Sequence, residues 1–306
     1  MDLRVEFAGL VLKNPIITAS GTFGFGLEFM NFGDLKRLGG IVVKGLSLKP
    51  REGNPMPRIV ETPCGMLNAI GIQNPGVEVF IKDKLPLLPW RETAVIANLY
   101  ACSAEEFGDL AGVLAAEEGV AALEVNVSCP NVSQGGSAFG QDPAQISKVT
   151  EAVKKRAAGK PVIVKLSPNV TDIAACARAA ESGGADAVSL INTLLGMAVD
   201  IVTRKPRLAN VVGGLSGPAI KPVALRCVFQ AARAVKIPII GIGGIVSAED
   251  ALEFITVGAH AVQVGTANFL RPDQSFRIVD DLQRVMLKAR AASMEELRGS
   301  IVLPGA

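Results

Sequence analysis

Histidine is almost missing from this sequence. His260 is the only one in 306 residues, and it follows Gly258-Ala259 at the start of an apolar run, where a structural role is expected. The five cysteines, Cys64, Cys102, Cys129, Cys176 and Cys227, form no CxxC pair and no cluster with metal-ligand spacing. An odd, scattered set suits a reducing compartment better than a disulfide framework. With so little imidazole and no grouped thiols, neither a metal centre nor an iron–sulfur cluster is expected on this chain. Trp90 and Tyr100 are single examples of their types and argue no stacking surface. No apolar run reaches about 18 residues, so no membrane-spanning helix is expected. The opening Met1-Asp2-Leu3-Arg4-Val5-Glu6 has the form of neither a signal peptide nor a targeting helix. Charge of both signs nearly cancels, at net +2, which gives no nucleic-acid surface. A G-x-G-x-x-G fingerprint after a strand is also missing, and Gly241-Ile242-Gly243-Gly244 is not one. The expectation is a soluble cytoplasmic protein with no visible dinucleotide-binding element of its own.

Apolar residues are plentiful, at 49%, and they recur in eight short runs: Ile16-Ser20, Ile41-Gly45, Ala94-Tyr100, Ala121-Ser128, Pro161-Ser167, Asp186-Asn192, Pro238-Gly244 and His260-Thr266. The runs are apolar on both faces, as parallel strands covered on both sides must be. Helical stretches separate them. Ser103-Ala104-Glu105-Glu106 and Ser247-Ala248-Glu249-Asp250 each offer a capping hydroxyl followed by acids, and Asp142-Pro143 and Thr171-Asp172 open two more. Eight strand–helix units predict an α/β fold, a single (β/α)8 barrel over residues 1–306. A doubly wound open sheet would need fewer strands or a second domain, and no Pro/Gly/Ser-rich linker marks a boundary. Val5-Glu6-Phe7 and Leu10-Val11-Leu12 around Ala8-Gly9 predict a small hairpin before the first barrel strand, at the barrel bottom. Two excursions, the long irregular interval between the second and third runs and Arg204–Ser216, are expected over the C-terminal mouth.

In such a barrel the strand C-termini converge on one mouth. They bring Ser20 and Gly21, Lys44 and Gly45, Asn98, Asn126, Lys165, Ile191 with Asn192 and Thr193, Gly243 and Gly244, and Gly265 and Thr266. The set is rich in amides, hydroxyls and lysines and contains no carboxylate cluster, which argues against metal catalysis and glycoside hydrolysis. Glycines after the seventh and eighth runs let backbone N–H groups approach a phosphate. Lys44 and Lys165 each close an apolar core run, and a desolvated ammonium calls for an anion.

The stretch richest in chemistry is Glu124-Val125-Asn126-Val127-Ser128-Cys129-Pro130-Asn131. Pro130 ends the strand, leaving Asn126, Ser128, Cys129 and Asn131 at its C-terminal end. The flexible run Val132–Gly140 that follows has the composition of a lid. A thiol at a strand-to-loop junction is a candidate nucleophile or proton-transfer group, or an inert buried residue.

Asn126-Val127-Ser128-Cys129-Pro130-Asn131, together with Lys44-Gly45, Glu61-Thr62-Pro63 and Asn68-Ala69-Ile70-Gly71-Ile72-Gln73-Asn74-Pro75-Gly76, resembles the dihydroorotate dehydrogenases over essentially the whole chain. The similarity is greatest to the class 1B catalytic subunits; class 2 enzymes carry serine at the position of Cys129. The resemblance implies one FMN per chain and oxidation of dihydroorotate to orotate in pyrimidine (UMP) biosynthesis. Cys129 would be the active-site base, with Ser128 as a helper. Lys165 would stand near flavin N1 and the C2 oxygen. FMN would be held by Ser20, Lys44, Gly45, Asn98, Asn126, Lys165, Ile191, Gly217, Gly243, Gly244, Gly265 and Thr266. Substrate would meet Lys44, Asn68, Ala69, Ile70, Gly71, Ile72, Asn126, Asn192 and Thr193. Class 1B also implies a partner subunit with FAD and a 2Fe–2S cluster that passes electrons to NAD, and a homodimer within a heterotetramer. A stand-alone fumarate-using enzyme, an FMN dehydrogenase of another dihydropyrimidine, and a non-catalytic phosphate-binding barrel remain alternatives at this point.

Outside these motifs, Cys64 receives no role, and Cys102, Cys176 and Cys227 are expected to be packing residues in or beside helices. Arg204, Lys205 and Arg207 are expected to form a solvated basic face or a partner contact.

Overall fold

The structure, a computed structural model, describes residues 1–128 and 139–305. Cys129, Pro130, Asn131 and the lid residues up to Ala138 lie outside the described residues.

Strands β1 (Val5–Phe7) and β2 (Leu10–Leu12) form the expected N-terminal hairpin. Its turn residues Ala8 and Gly9 both have positive φ, 50° and 79°, the geometry that matches a tight turn to the right-handed twist of its strands. Val5, Phe7 and Leu12 are buried, while Glu6 and Val11 face out. The hairpin lies beside Ala259 and His260, at the bottom of the barrel.

The barrel is closed by eight parallel strands: β3 (Ile16–Thr18), β4 (Gly40–Val42), β7 (Ala94–Leu99), β8 (Ala122–Asn126), β9 (Val162–Leu166), β10 (Ala187–Leu190), β15 (Ile239–Ile242) and β16 (Ala261–Val264). Seven fall inside the sequence runs, and β4 begins one residue before its run, at Gly40. β10 is followed around the ring by β15, β16, β3, β4, β7, β8 and β9. Sheet and helices close over every barrel strand, so β8, β9, β10 and β16 are buried along their whole length. That explains their lack of polar alternation. The helix signals also hold: Ser103 and Ser247 hydroxyls accept from the amides of Glu106 and Asp250, and Asp142 and Asp172 accept from Ala144 and Ala175.

The two excursions are more regular than their sequences suggest. β5 (Ile59–Thr62) and β6 (Gly65–Asn68), from the first, join β11 (Leu194–Met197) and β14 (Val212–Ser216) in one antiparallel sheet ordered β11-β14-β6-β5. A short hairpin, β12 (Val199–Asp200) with β13 (Lys205–Pro206), projects from it. Val60, Leu67 and Leu208 give this sheet a small core of its own. Glycine permits the close approach of its strands: a Cβ at Gly214 would stand 2.1 Å from Thr193 Oγ1, and one at Gly65 would stand 2.2 Å from the carbonyl oxygen of Ser216. Arg204, Lys205 and Arg207 are exposed, as a solvated face requires. Among the described residues, no helix is long and apolar enough to cross a membrane.

Candidate active site

A cavity of 960 Å³ opens at the C-terminal mouth of the barrel, roofed by the antiparallel sheet. From the barrel strands come Ser20 and Gly21 after β3, Lys44 and Gly45 after β4, and Asn98 on β7. Asn126 on β8, with Ser128 beyond it, and Lys165 on β9 follow. Ile191, Asn192 and Thr193 follow β10, Gly243 and Gly244 follow β15, and Gly265 and Thr266 follow β16. The roof contributes Asn68 on β6, then Ala69, Ile70, Gly71 and Ile72, with Gly217 just after β14. All the described residues singled out in the sequence for cofactor or substrate therefore line one space. Cys129, assigned as base, lies outside the described residues.

Hydrogen bonds tie the polar wall together. Asn126 Oδ1 accepts from the amide of Ser128 at 3.2 Å and from Asn192 Nδ2 at 3.3 Å. Asn192 Oδ1 in turn accepts from the Thr193 amide at 2.9 Å. Ser128 Oγ donates to the carbonyl oxygen of Lys165 at 3.3 Å. Asn68 Nδ2 donates to the Gly214 carbonyl at 3.4 Å, linking the roof strands. Thr266 and Ser216 hydroxyls meet at 2.8 Å, joining the end of β16 to the end of β14.

The described lining carries four cations, Lys44, Arg51, Arg58 and Lys165, and no carboxylate. Burial pushes the Lys44 ammonium below the usual lysine range; the Arg58 guanidinium adds to the shift and Glu28 opposes it. Arg58 donates to Gln73 Oε1, and the Arg51 guanidinium lies 4.8 Å from the centre of the Tyr100 ring. Tyr100, passed over in the sequence as too isolated to stack, is thus the platform for a lining arginine. The cavity thus sets cations, amides and hydroxyls among apolar residues such as Ile70, Ile72, Ile191 and Ile242, a lining that can hold an anion bearing a flat ring.

One expectation fails. Cys102 does not pack: it is exposed and lines the cavity, because the chain turns out after Ala101 and the helix Ala104–Ala115 begins only beyond it. Cys176 and Cys227 are buried as expected, and burial raises both thiols above their usual range. Cys64 sits exposed in the β5–β6 turn with φ 60°. His260 lies at the barrel bottom, where its Nδ1 accepts from the Ile239 amide at 3.3 Å.

The sequence reading also missed the layer behind the cavity wall. Glu124, Ser189 and Gln263 are fully buried on β8, β10 and β16 and converge inside the barrel. The available signal was a polar residue in the middle of each apolar run: Leu123-Glu124-Val125, Val188-Ser189-Leu190 and Val262-Gln263-Val264.

Fold and cavity together define a (β/α)8 barrel with a large cavity at its mouth whose described charged lining residues are cations. Comparison with known proteins makes this specific. The family model described as dihydroorotate dehydrogenase matches residues 2–286. The chain is 73% identical over 304 residues to the dihydroorotate dehydrogenase B (NAD(+)) catalytic subunit of Maridesulfovibrio salexigens, covering 99% of this chain and 100% of that protein. It is 69% identical over 301 residues to the subunit of the same name from Solidesulfovibrio magneticus, covering 98% of each. The corresponding Pelobacter propionicus subunit is 58% identical over 300 residues, again covering 98% of each. The chain belongs to the dihydroorotate dehydrogenase family, and within it to the oxidoreductases of the B-type catalytic-subunit kind.

Proposed function

We propose that this chain oxidises dihydroorotate to orotate in pyrimidine biosynthesis, using one FMN bound in the mouth cavity, and that residues 1–306 act as one FMN-binding unit. The observation that carries the reading is the convergence of the described candidates on one cavity whose charged lining residues are all cations.

The residues present suit FMN. Asn98 Oδ1 is buried without a partner among the described residues, so the wall holds an acceptor in want of an N–H donor. The nearest atoms to a Cβ built on Gly265 stand 3.5 Å away, so the backbone at the end of β16 is open to a phosphate, whereas Gly217, Gly243 and Gly244 are packed closely on the chain behind them. A volume of 960 Å³ lies at the upper end of the roughly 300–1,000 Å³ typical of ligand pockets, room for a cofactor and a small substrate together.

FMN, when bound, supplies the hydride acceptor. The rest falls to this chain. Ser20, Gly45, Asn98 and Ile191 would hold the ring system, and Gly217, Gly243, Gly244, Gly265 and Thr266 the phosphate end. Lys44 and the amides of Asn68, Asn126 and Asn192, with the Thr193 hydroxyl, would orient the substrate's carboxylate and dione. Cys129 would take the proton from C5 of dihydroorotate, aided by Ser128. Lys165 supplies a fixed cation on the inner wall, where it favours added electron density.

The B-type relatives are named as NAD(+) enzymes and as catalytic subunits. We infer the corresponding arrangement here: a partner subunit carrying FAD and a 2Fe–2S cluster takes electrons to NAD, two copies of this chain pair within a heterotetramer, and the assembly is cytoplasmic. The test is anaerobic addition of dihydroorotate to the purified chain, followed by flavin absorbance. Bleaching of a yellow protein is expected, with reoxidation by NAD only after the partner is supplied. A yellow protein that dihydroorotate does not bleach would remove the substrate, and reoxidation of the lone chain by fumarate would remove the NAD-linked class.

A further inference from the structure

Glu124 is fully buried and does not itself line the cavity; it stands behind the residues that do. Its Oε2 accepts from Asn98 Nδ2 at 2.7 Å and lies 4.0 Å from Lys165 Nζ. Its Oε1 accepts from Ser189 Oγ at 2.9 Å and from Gln263 Nε2 at 2.5 Å. Asn98 and Glu124 are register neighbours on β7 and β8, whereas Gln263 reaches across the barrel from β16. One carboxylate thus gathers donors from three other strands and faces the lysine of a fourth.

A carboxylate accepts hydrogen bonds and an amide both donates and accepts. An amide that turns its NH2 group to Glu124 must turn its carbonyl away. Both amides obey this: Asn98 Oδ1 and Gln263 Oε1 are buried and have no partner among the described residues. The Asn98 oxygen lies on the Gly45 side, 3.1 Å from where a Cβ of that lining residue would be.

We propose that Glu124 is a positioning residue that sets the polarity of the flavin-facing wall. It holds Asn98 so that an acceptor, not a donor, meets a ring N–H of the ligand. It also balances the Lys165 ammonium, so that the cavity presents a tempered cation rather than an isolated one. The proposal rests on the reading that FMN occupies this cavity.

The test uses the full chain loaded with FMN, with its partner subunit where the two copurify. Glu124→Gln keeps the side-chain volume but removes the charge and introduces a donor. Without the counter-charge, the bound flavin should favour its reduced form by about threefold or more, read as a rise in midpoint potential. Asn98→Asp sets two carboxyl groups against each other and should weaken FMN binding about tenfold or more at neutral pH. Combining Asn98→Asp with Glu124→Gln restores one charge and one donor–acceptor pair, so FMN affinity should return to within about threefold of wild type. A packing role alone predicts no such rescue.

An unchanged potential in Glu124→Gln, or a double variant that binds FMN no better than Asn98→Asp, overturns the proposal. If Glu124→Gln does not fold, Asn98→Asp and Asn98→Leu decide. The two replacements have similar volume, but only the aspartate sets a charge against Glu124, so Asn98→Asp should bind FMN more weakly than Asn98→Leu at neutral pH. Equal FMN affinity in the two overturns the proposal. Wild-type protein that takes up no FMN overturns the reading of the cavity and the proposal with it, whereas a yellow wild type with unaltered variants overturns the proposal alone.

Discussion

Ser128 Oγ donates to the backbone carbonyl of Lys165 at 3.3 Å, so the residue immediately before Cys129 is tied to the strand that bears the buried cation. Ser128 follows β8 and Lys165 lies on the neighbouring β9, with Asn126 and Lys165 in register. Cys129→Ser should retain FMN and lose about 100-fold or more in turnover at neutral pH, because an alcohol gives up its proton far less readily than a thiol. The loss should shrink as pH rises. Unchanged steady-state turnover would remove Cys129 from the role of base.

The barrel was legible because its strands are buried on both faces and its helices carry caps of their own; Ser103, Asp142, Asp172 and Ser247 all cap as their spacing indicates. The mouth followed from that, since any residue ending a barrel strand points to the same end. The place of the roof over the mouth was legible, but its strands were not. β14 pairs with β6, far back in the sequence, and Gly196, Gly213 and Gly214 give β11 and β14 no pattern of alternation. Glu124 was passed over for a related reason: attention to strand ends leaves the strand interiors unread. Its partners Ser189 and Gln263 are 65 and 139 residues away, so only closure of the barrel shows that they meet.

Lys165→Ala should act on both stability and chemistry. The side chain is only 7% exposed, and its Nζ stands 4.0 Å from a fully buried carboxylate. Removing one member of such a pair leaves the other uncompensated, at a cost of about 3–5 kcal/mol. A lower Tm is expected, together with slower flavin reduction by dihydroorotate in stopped-flow. A variant that melts with wild type would show that Glu124 does not depend on Lys165, and an unaffected reductive half-reaction would remove the electrostatic role.

His260 gives the barrel bottom its own pH dependence. Burial, helped by the Arg298 guanidinium, holds its pKa down at about 4, against an ordinary value of 6.5. The folded state therefore binds this proton less tightly than the unfolded state does. Between pH 6.5 and about 4 the unfolded chain takes up more protons at this site, so stability falls with falling pH across that window. Protonation also takes away the Nδ1 acceptor used by the Ile239 amide. His260→Gln should flatten the slope of Tm against pH there while leaving dihydroorotate oxidation near wild type at neutral pH. A slope that persists in the variant would assign the acid sensitivity to other groups.

Lys44 should give substrate binding an alkaline limit. Its pKa is lowered first by burial and then by the Arg58 cation. An anionic substrate needs the ammonium in its charged form, so affinity should be full below the lowered pKa and decline as pH rises through it. KM for dihydroorotate should therefore climb on the alkaline side, and Lys44→Met should raise KM at neutral pH and remove that climb. Arg58→Ala removes a neighbouring positive charge, so it should move the alkaline limit to higher pH even though it also takes a cation from the cavity wall. A KM profile that ends at the same pH in Arg58→Ala as in wild type would show that the two cations are not coupled. A flat profile in wild type would show that Lys44 does not bind the substrate anion.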